Sequence, residues 1–456
     1  MRLTQEIGQW ARVTAPAVEV HCISDLHCDY KPNLEWTEAL PLPEKNAAGG
    51  SRALRVLLLA GDLATDLAIL ERCLVGLKMR YDEVVFVPGN HEAWVSRGAE
   101  GGQAPDSFAK LGEVLAVCAR CGVRTAPLTV ELPHSAGASG RVHEVLLLPL
   151  LSWYHASWDT EPELPEHETR RLAFEGARPF EQRWADFKFC KWPGISSNWT
   201  SLDAAAAGAS EALSERFAAV NARWVAEVAA GADGVEREVI SFSHFVPRQE
   251  LLPEKRFLIT PELPKVVGSR PLEAQIRAAG ATLHCFGHTH LPVDMTLEGV
   301  RYIQWSLGMQ REAKDGRACA VVKREGPTLV WDSADGAGPY RPTMWGDYYR
   351  SNTRNPSETA LAPWVLDHAA KARRRMAKLR GEREESESAQ GRVEGGGGSH
   401  LLRLVRRAWR AVARRRAEEG ADEVEAPARD GTPPSRDGRG GETLEQIRVR
   451  HYGRER

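Results

Sequence analysis

Between residues 17 and 331, short apolar runs alternate with amphipathic stretches. Most of the apolar runs are nearly continuous, which is the pattern of strands that are covered on both faces. The predicted strands are residues 18–24, 54–60, 83–87, 128–132, 142–148, 238–243, 282–286, 302–305, 318–322 and 328–331. The predicted helices are residues 64–80, 107–121, 202–230 and 271–279. This alternation predicts a layered α/β domain rather than an all-β one.

A segment of unusual composition, residues 151–200, interrupts this pattern. It is too long for an ordinary loop and too aromatic for a disordered one. Its five tryptophans are Trp153, Trp158, Trp184, Trp192 and Trp199. We therefore expect an ordered insertion, either a lid over a site or an element whose aromatic residues pack it onto the domain.

The chain changes character again after residue 370. Four consecutive glycines at residues 395–398 indicate a flexible linker, and residues 401–416 place apolar side chains at helical spacing among seven arginines. The sequence thus predicts a domain over residues 17–370 and a disordered, low-complexity basic tail over residues 371–456. An amphipathic helix at 401–416 would bind an anionic membrane surface or a protein partner, whereas a solvated charge run would bind neither. We expect no specific nucleic-acid binding.

The overall charge hides the difference between these two parts. Hydrophobic residues make up 42% of the chain and charged residues 27%, and the formal net charge is −2. Residues 1–370 hold 38 basic and 47 acidic residues, a net of −9, whereas residues 371–456 hold 22 and 15, a net of +7. Near-neutrality therefore does not exclude a basic binding segment in the tail.

Cysteine usage and hydropathy predict a cytoplasmic protein. The eight cysteines are too few for a disulfide scaffold, and Cys118 and Cys121 form the single C-x-x-C pair, so a zinc ribbon is not expected. No stretch approaches the roughly 20 apolar residues of a membrane span. The first residues show no signal peptide, although organellar targeting stays open.

Five short polar motifs each follow a predicted strand. They are Asp25-Leu26-His27, Gly61-Asp62, Gly89-Asn90-His91-Glu92, His244 and Gly287-His288-Thr289-His290. Residues two apart in extended chain point to the same side, so a D-x-H or H-x-H pair can offer two ligands to one ion. In open α/β sheets, ligands bind outside the carboxyl ends of the strands, where all five motifs would meet.

The residue types in these motifs predict a metal site. Mixed carboxylate, amide and imidazole ligands suit Zn, Fe or Mn better than Ca or Mg alone. There are enough of them for two ions that share a carboxylate. Two ions ~3.5–4 Å apart stabilise both the attacking and the leaving oxygen of a phosphoryl displacement.

The same five motifs, over residues 18–331, resemble the calcineurin-like metallophosphoesterase superfamily. The resemblance implies a four-layer α/β/β/α sandwich with a dinuclear site at the sheet edges. It implies two ligand sets and a bridge: Asp25, His27 and His290; Asn90, His244 and His288; and Asp62 between the two ions. His91 resembles the family's catalytic histidine, which would stabilise the phosphoryl group or protonate the leaving oxygen. The nucleophile would be a water or hydroxide held between the ions.

Departures from known subfamilies narrow this expectation. The second motif lacks the G-D-x-x-D-R-G sequence of calcineurin-type protein phosphatases, and no tyrosine stands where purple acid phosphatases use one as a ligand. Residues 149–154, 190–193 and 268–270 resemble a group of plant and algal members. Whether Asp66 or Glu92 orients His91 is open.

The sequence therefore predicts a hydrolase that cleaves a phosphomonoester or phosphodiester with two ions of Mn, Fe or Zn. The alternative is a binding scaffold on the same fold, with weak or no catalysis. Ligand completeness separates the two, because scaffolds of this fold lose ligands, and here no expected ligand is missing.

Overall fold

The computed structural model describes residues 7–41, 53–95, 104–132, 142–173, 178–203, 211–231, 235–309, 319–394 and 446–447. In these residues two β-sheets are flanked by helices, which confirms the mixed α/β class. The candidate helix at 401–416 lies outside the described residues. None of the described helices combines the length and apolar character that crossing a lipid bilayer requires.

The smaller sheet has five strands within the described chain. Its strands, in spatial order, are β12 (Gly336–Ala337), β11 (Thr328–Asp332), β2 (Val18–Ile23), β3 (Leu54–Ala60) and β4 (Glu83–Val87). Strands β2, β3 and β4 pair in parallel, so their carboxyl ends meet at one edge. Residues 56–60 of β3 are all buried, as expected for a strand that is covered on both faces.

The larger sheet has seven strands within the described chain. In spatial order these are β1 (Ala11–Thr14), β5 (Leu128–Leu132), β6 (Val142–Pro149), β7 (Val235–Phe242), β8 (Leu283–Phe286), β10 (Val300–Gln304) and β9 (Val293–Leu297). Strands β6, β7, β8 and β10 are mutually parallel, which again brings the carboxyl ends of β7 and β8 together.

Helices connect and cover these sheets. They are α1 (Lys31–Glu38), α2 (Leu67–Lys78), α3 (Ser107–Arg120), α4 (Glu166–Leu172), α5 (Phe180–Arg183), α6 (Asp186–Phe189), α7 (Glu211–Ala230), α8 (Arg270–Ala278), α9 (Cys319–Glu325), α10 (Met344–Ser351) and α11 (Pro363–Glu394). Helix α2 begins where the Asp66 carboxylate accepts hydrogen bonds from Ala68 N and Ile69 N. Helix α3 ends before Gly122, whose φ of 66° lies in the left-handed region, and Cys118 and Cys121 are free thiols at this end.

The described part of the tryptophan-rich insertion packs onto the main core. Trp153, Trp158 and Trp192 are buried, and Trp184 and Trp199 are partly buried against them. The Trp153 ring lies 4.8 Å from the ring of Trp192 and 5.3 Å from that of Phe245. These contacts favour the packing interpretation of the insertion.

A second, smaller hydrophobic cluster joins the insertion to the C-terminal helices. Its buried members are Leu164, Phe257, Trp345, Leu361, Ala362 and Val365. Beyond it, Arg373 of α11 donates a hydrogen bond to the carbonyl oxygen of Arg171 in α4. The expected boundary at residue 370 falls inside α11, because residues 371–394 are rich in Ala, Lys, Arg and Glu, which favour helix.

Two other expectations about local structure differ from the structure. The strand expected at 318–322 is wrong: residues from Cys319 onward form helix α9. A short apolar run does not by itself distinguish a strand from a buried helical segment. Helix α1 and strands β1, β9 and β12 were not expected, because they are short and their apolar patterns are weak.

Candidate metal centre

The structure brings all eight candidate site residues together where five strands end. Asp25 and His27 follow β2, Asp62 follows β3, and Asn90 and His91 follow β4. His244 follows β7, and His288 and His290 follow β8. Three overlapping groups hold their ligand atoms within 4.8 Å of one another: Asp25, His27 and His290; His27, Asp62 and His91; and Asp62, His244 and His288.

The backbone is strained at these residues. Six described non-glycine residues have positive φ, and five of them are candidate ligands: Asp25, His27, Asp62, His288 and His290. Residues other than glycine rarely adopt this conformation, which costs on the order of 1–3 kcal/mol each and is concentrated at functional sites. The strain turns these side chains toward one point between the two sheets.

Glycines in the motifs provide the space for this convergence. Gly61 has a φ of 82°, and a Cβ there would overlap the His244 ring. A Cβ on Gly287 would lie 2.7 Å from Asp25 Oδ2 and 2.9 Å from Ala60 O. The glycines are therefore required by close approach of the backbone to the candidate ligands.

In the candidate ligand set of Asn90, His244 and His288, three hydrogen-bond acceptor atoms face one another with no donor between them. Asn90 Oδ1 lies 2.9 Å from His244 Nε2 and 3.0 Å from His288 Nδ1. The other nitrogen of each ring faces a backbone carbonyl, Ala60 O at 2.9 Å and Val266 O at 3.0 Å, to which it donates. When both rings are neutral, His244 Nε2 and His288 Nδ1 therefore carry no proton, and each directs a lone pair at Asn90 Oδ1.

A cation fits this arrangement, since three lone-pair atoms that lie 2.9–3.2 Å from one another need a positive charge between them. Burial lowers the pKa of His244, yet the carboxylate of Asp62 outweighs it and raises that pKa to about 9. Without a metal ion, a proton on His244 Nε2 would therefore supply this positive charge. A metal ion would take its place.

The other candidate set is built around Asp25. Its Oδ1 lies 3.3 Å from His290 Nε2, which in turn lies 3.0 Å from His27 Nε2. The remaining oxygen, Oδ2, accepts hydrogen bonds from Ser24 Oγ at 2.5 Å and Ser306 Oγ at 2.6 Å. These two serines fix the carboxylate with Oδ1 directed at the histidines, and neither serine belongs to one of the five sequence motifs.

Charge at the centre is arranged for cations. Burial alone would raise the pKa values of Asp25 and Asp62, but the histidines around them hold both below their usual range. Burial lowers the pKa of His288 to about 3, which keeps that ring neutral and able to act as a ligand. Two carboxylates together with these imidazoles form the mixed oxygen and nitrogen set that transition metals prefer.

His91 stands at the open side of the centre. Its side chain and that of His290 each retain 13% exposure, whereas Asp25 and His244 are fully buried. Its ring stacks on Trp94 with 3.6 Å between centroids, and its Nε2 lies 3.7 Å from Asp62 Oδ2. Burial lowers the pKa of His91 to about 3. His91 is therefore placed to reach a group bound beside Asp62.

Glu92 anchors the backbone that carries this site and does not orient the His91 ring through a bond that the structure describes. Its Oε1 accepts from Leu63 N and Ala64 N, and its Oε2 accepts from Asp62 N and Gly89 N, at 2.7–3.1 Å. Asp66 caps α2. Ring orientation instead comes from Trp94, which sequence reasoning did not single out.

We expect Glu92→Gln to lower the free energy of unfolding by about 1–3 kcal/mol. A glutamine supplies one acceptor oxygen in place of two, and its amide group would face two backbone N–H donors in a buried site. Urea unfolding of the metal-free protein measures the effect. Glu71→Gln, at an exposed glutamate on α2, is the control and should stay within about 0.5 kcal/mol. Equal stabilities of the two variants would contradict the anchoring role.

Comparison with known proteins agrees with this geometry. Residues 19–136 match the family model described as calcineurin-like phosphoesterase. This part of the chain is thus similar to the calcineurin-like phosphoesterase family. Its members are phosphoester hydrolases, and the matched residues contain the first three motifs of the centre, while His244, His288 and His290 complete it from the larger sheet.

Solved structures show more distant likenesses. A phosphopantetheinyl hydrolase from Mycobacterium tuberculosis is 22% identical, with 67% of this chain and 94% of that chain covered and a TM-score of 0.45. A Staphylococcus aureus protein assigned as a 5′-nucleotidase, solved with α-ketoglutarate, is 9% identical, with 63% and 48% covered and a TM-score of 0.27. No curated protein matches the chain. Neither structural likeness identifies a substrate of this chain, and the resemblance to plant and algal members stays a prediction.

Proposed function

We propose that this chain hydrolyses phosphomonoesters or phosphodiesters at a dinuclear centre. The observation that carries the proposal is the convergence of seven candidate ligands from five strand ends, with lone pairs facing one another at about 3 Å. Asp25, His27 and His290 would hold one ion, and Asn90, His244 and His288 would hold the other. Asp62 would lie between the two sets.

Geometry supports Asp62 as the bridge. Its Oδ2 lies 3.4 Å from His244 Nε2 in one set, and Asp62 is also grouped with His27 of the other. Its Oδ1 accepts a hydrogen bond from the backbone N–H of His91 at 2.9 Å, which fixes the plane of the carboxylate. When bound, the two ions neutralise phosphate charge and lower the pKa of a water molecule toward 7.

The protein's own contribution to the reaction is positioning and proton handling. The carboxylates and imidazoles would hold the ions, which would supply positive charge for binding the substrate phosphate. His91, at the exposed side, would donate a hydrogen bond to the phosphoryl group or a proton to the leaving oxygen. Trp94 holds the plane of its ring.

The proposal includes the bounds of the catalytic domain and a cytoplasmic location for the protein. Residues 17–370 would form the catalytic domain, with 151–200 as its insertion. The seven cysteines whose side chains the structure describes are free, which fits the expected cytoplasm. Whether the basic tail binds a membrane or a protein partner is a separate question, because residues 395–445 and 448–456 lie outside the described residues.

A reconstitution assay tests the proposal. Metal-depleted full-length protein is loaded separately with Mn²⁺, Fe²⁺ or Zn²⁺ and assayed with p-nitrophenyl phosphate and bis(p-nitrophenyl) phosphate. We expect turnover of at least one ester that depends on added metal and disappears with chelator. Stoichiometric metal binding without turnover of either ester would favour the scaffold alternative.

A further inference from the structure

A buried carboxylate of the insertion reaches the metal centre from outside the ligand set. Asp186, the first residue of α6, is 1% exposed. Its Oδ1 accepts hydrogen bonds from Asn90 Nδ2 at 2.8 Å and from Trp94 Nε1 at 2.6 Å. Its Oδ2 accepts from Trp184 Nε1 at 3.1 Å. The insertion is thus bonded directly to a candidate ligand.

These bonds fix which end of the Asn90 amide faces the metals. An indole N–H donates and cannot accept, so both oxygens of Asp186 act as acceptors toward Trp94 and Trp184. Asn90 must therefore present its NH₂ group to Asp186. Its oxygen is then left facing His244 Nε2 and His288 Nδ1. A flipped amide would direct N–H groups at the position where a cation is needed.

The same carboxylate oxygen also holds the ring behind His91. Trp94 stacks on His91 with an angle of 28° between the ring planes, and its indole nitrogen is tied to Asp186. A tryptophan anchored in this way has one orientation, and the stacked imidazole follows it. One side chain therefore connects a candidate ligand with the candidate catalytic histidine.

We propose that Asp186 is a positioning residue of the active site, through which the insertion sets the amide orientation of Asn90 and the ring plane of His91. This inference rests on the proposed dinuclear function. It gives the insertion a role in the chemistry that differs from a lid and from simple packing. Outer partners of metal ligands of this kind are worth 10–100-fold in metal affinity or activity.

The test compares Asp186→Leu with Asp186→Asn. Leucine removes the acceptor, whereas asparagine keeps one oxygen for Asn90 and Trp94. Titration of the metal-depleted proteins with Mn²⁺, followed by calorimetry, should show about 10–100-fold weaker binding of one ion in the leucine variant and near-wild-type binding in the asparagine variant. We also expect kcat to fall in the leucine variant with little change in KM, because Asp186 would not touch the substrate.

Glu181→Gln is the matched control, since Glu181 is an exposed carboxylate on helix α5 of the same insertion. Its metal binding should equal that of the wild type. If the leucine variant does not fold, Asp186→Ala answers the same question. Two ions bound with wild-type affinity by the folded leucine or alanine variant would overturn the inference. Failure of the wild type itself to bind two ions would instead overturn the dinuclear function.

Discussion

Replacing Asp62 by asparagine should abolish both catalysis and the two-ion stoichiometry. We expect a loss on the order of 10³-fold in kcat/KM, because a neutral amide supplies less charge to two cations that would share one carboxylate. The fold should survive, since the Asp62 backbone N–H still donates to Glu92 and the amide oxygen can still accept from His91 N. Metal analysis by plasma mass spectrometry, together with the ester assay, measures both effects.

Asp66→Asn is the control for this change. Asp66 lies in the same loop and caps helix α2, a role that asparagine performs about as well. Its metal content and activity should equal those of the wild type. If Asp62→Asn kept two ions and full activity, the bridging role of Asp62 would be wrong.

Replacing His91 by alanine should have a comparably large effect on catalysis but a different effect on metal binding. We expect kcat to fall about 10²–10⁴-fold, the usual contribution of a positioned acid or base, while two ions remain bound. The metals should stay because the side chain of His91 is outside both proposed ligand sets. The bond to Asp62 Oδ1 comes from the backbone and is kept.

His21→Ala is a suitable control for the histidine variant. His21 lies within strand β2, where it contacts Glu19 and the ring of Tyr81. Its removal should leave kcat and metal content unchanged. Loss of metal from His91→Ala, in the same proportion as loss of activity, would show that His91 is a ligand and not a catalytic group.

The sequence predicted much of this architecture because the chemistry lies at the ends of strongly patterned strands. Strands β3 and β4 are nearly continuous apolar runs, strands β2, β7 and β8 end in mostly apolar residues, and a motif begins within two residues of each strand end. Parallel pairing then forces their carboxyl ends together, so local pattern and sheet topology combine to locate the site. The glycines beside the ligands were equally visible in the sequence.

Other parts of the site depend on contacts between distant residues, which no local pattern reports. Asp186 and Asn90 are 96 positions apart, and Ser306 and Asp25 are 281 apart. A single aspartate among tryptophans carries no periodic signal, although the aromatic composition of 151–200 did mark the segment as ordered. Similarly, residues from Cys319 onward are apolar enough for a strand, yet they form helix α9.

The insertion shows what sequence composition reports and what only the three-dimensional contacts report. Its tryptophans fitted both a lid and a packing element, and packing was favoured because buried aromatic residues usually serve the core. The structure buries Trp153 and Trp192 in the core and uses Trp184 and Asp186 beside the centre. Packing and positioning are thus combined in one segment.

Anomalous diffraction from crystals of the Mn²⁺-loaded protein tests the central claim most directly. The account predicts two manganese peaks about 3.5–4 Å apart. One should lie among Asp25, His27 and His290, and the other among Asn90, His244 and His288, with the Asp62 carboxylate touching both. A single peak, or two peaks that do not share Asp62, would contradict the dinuclear centre.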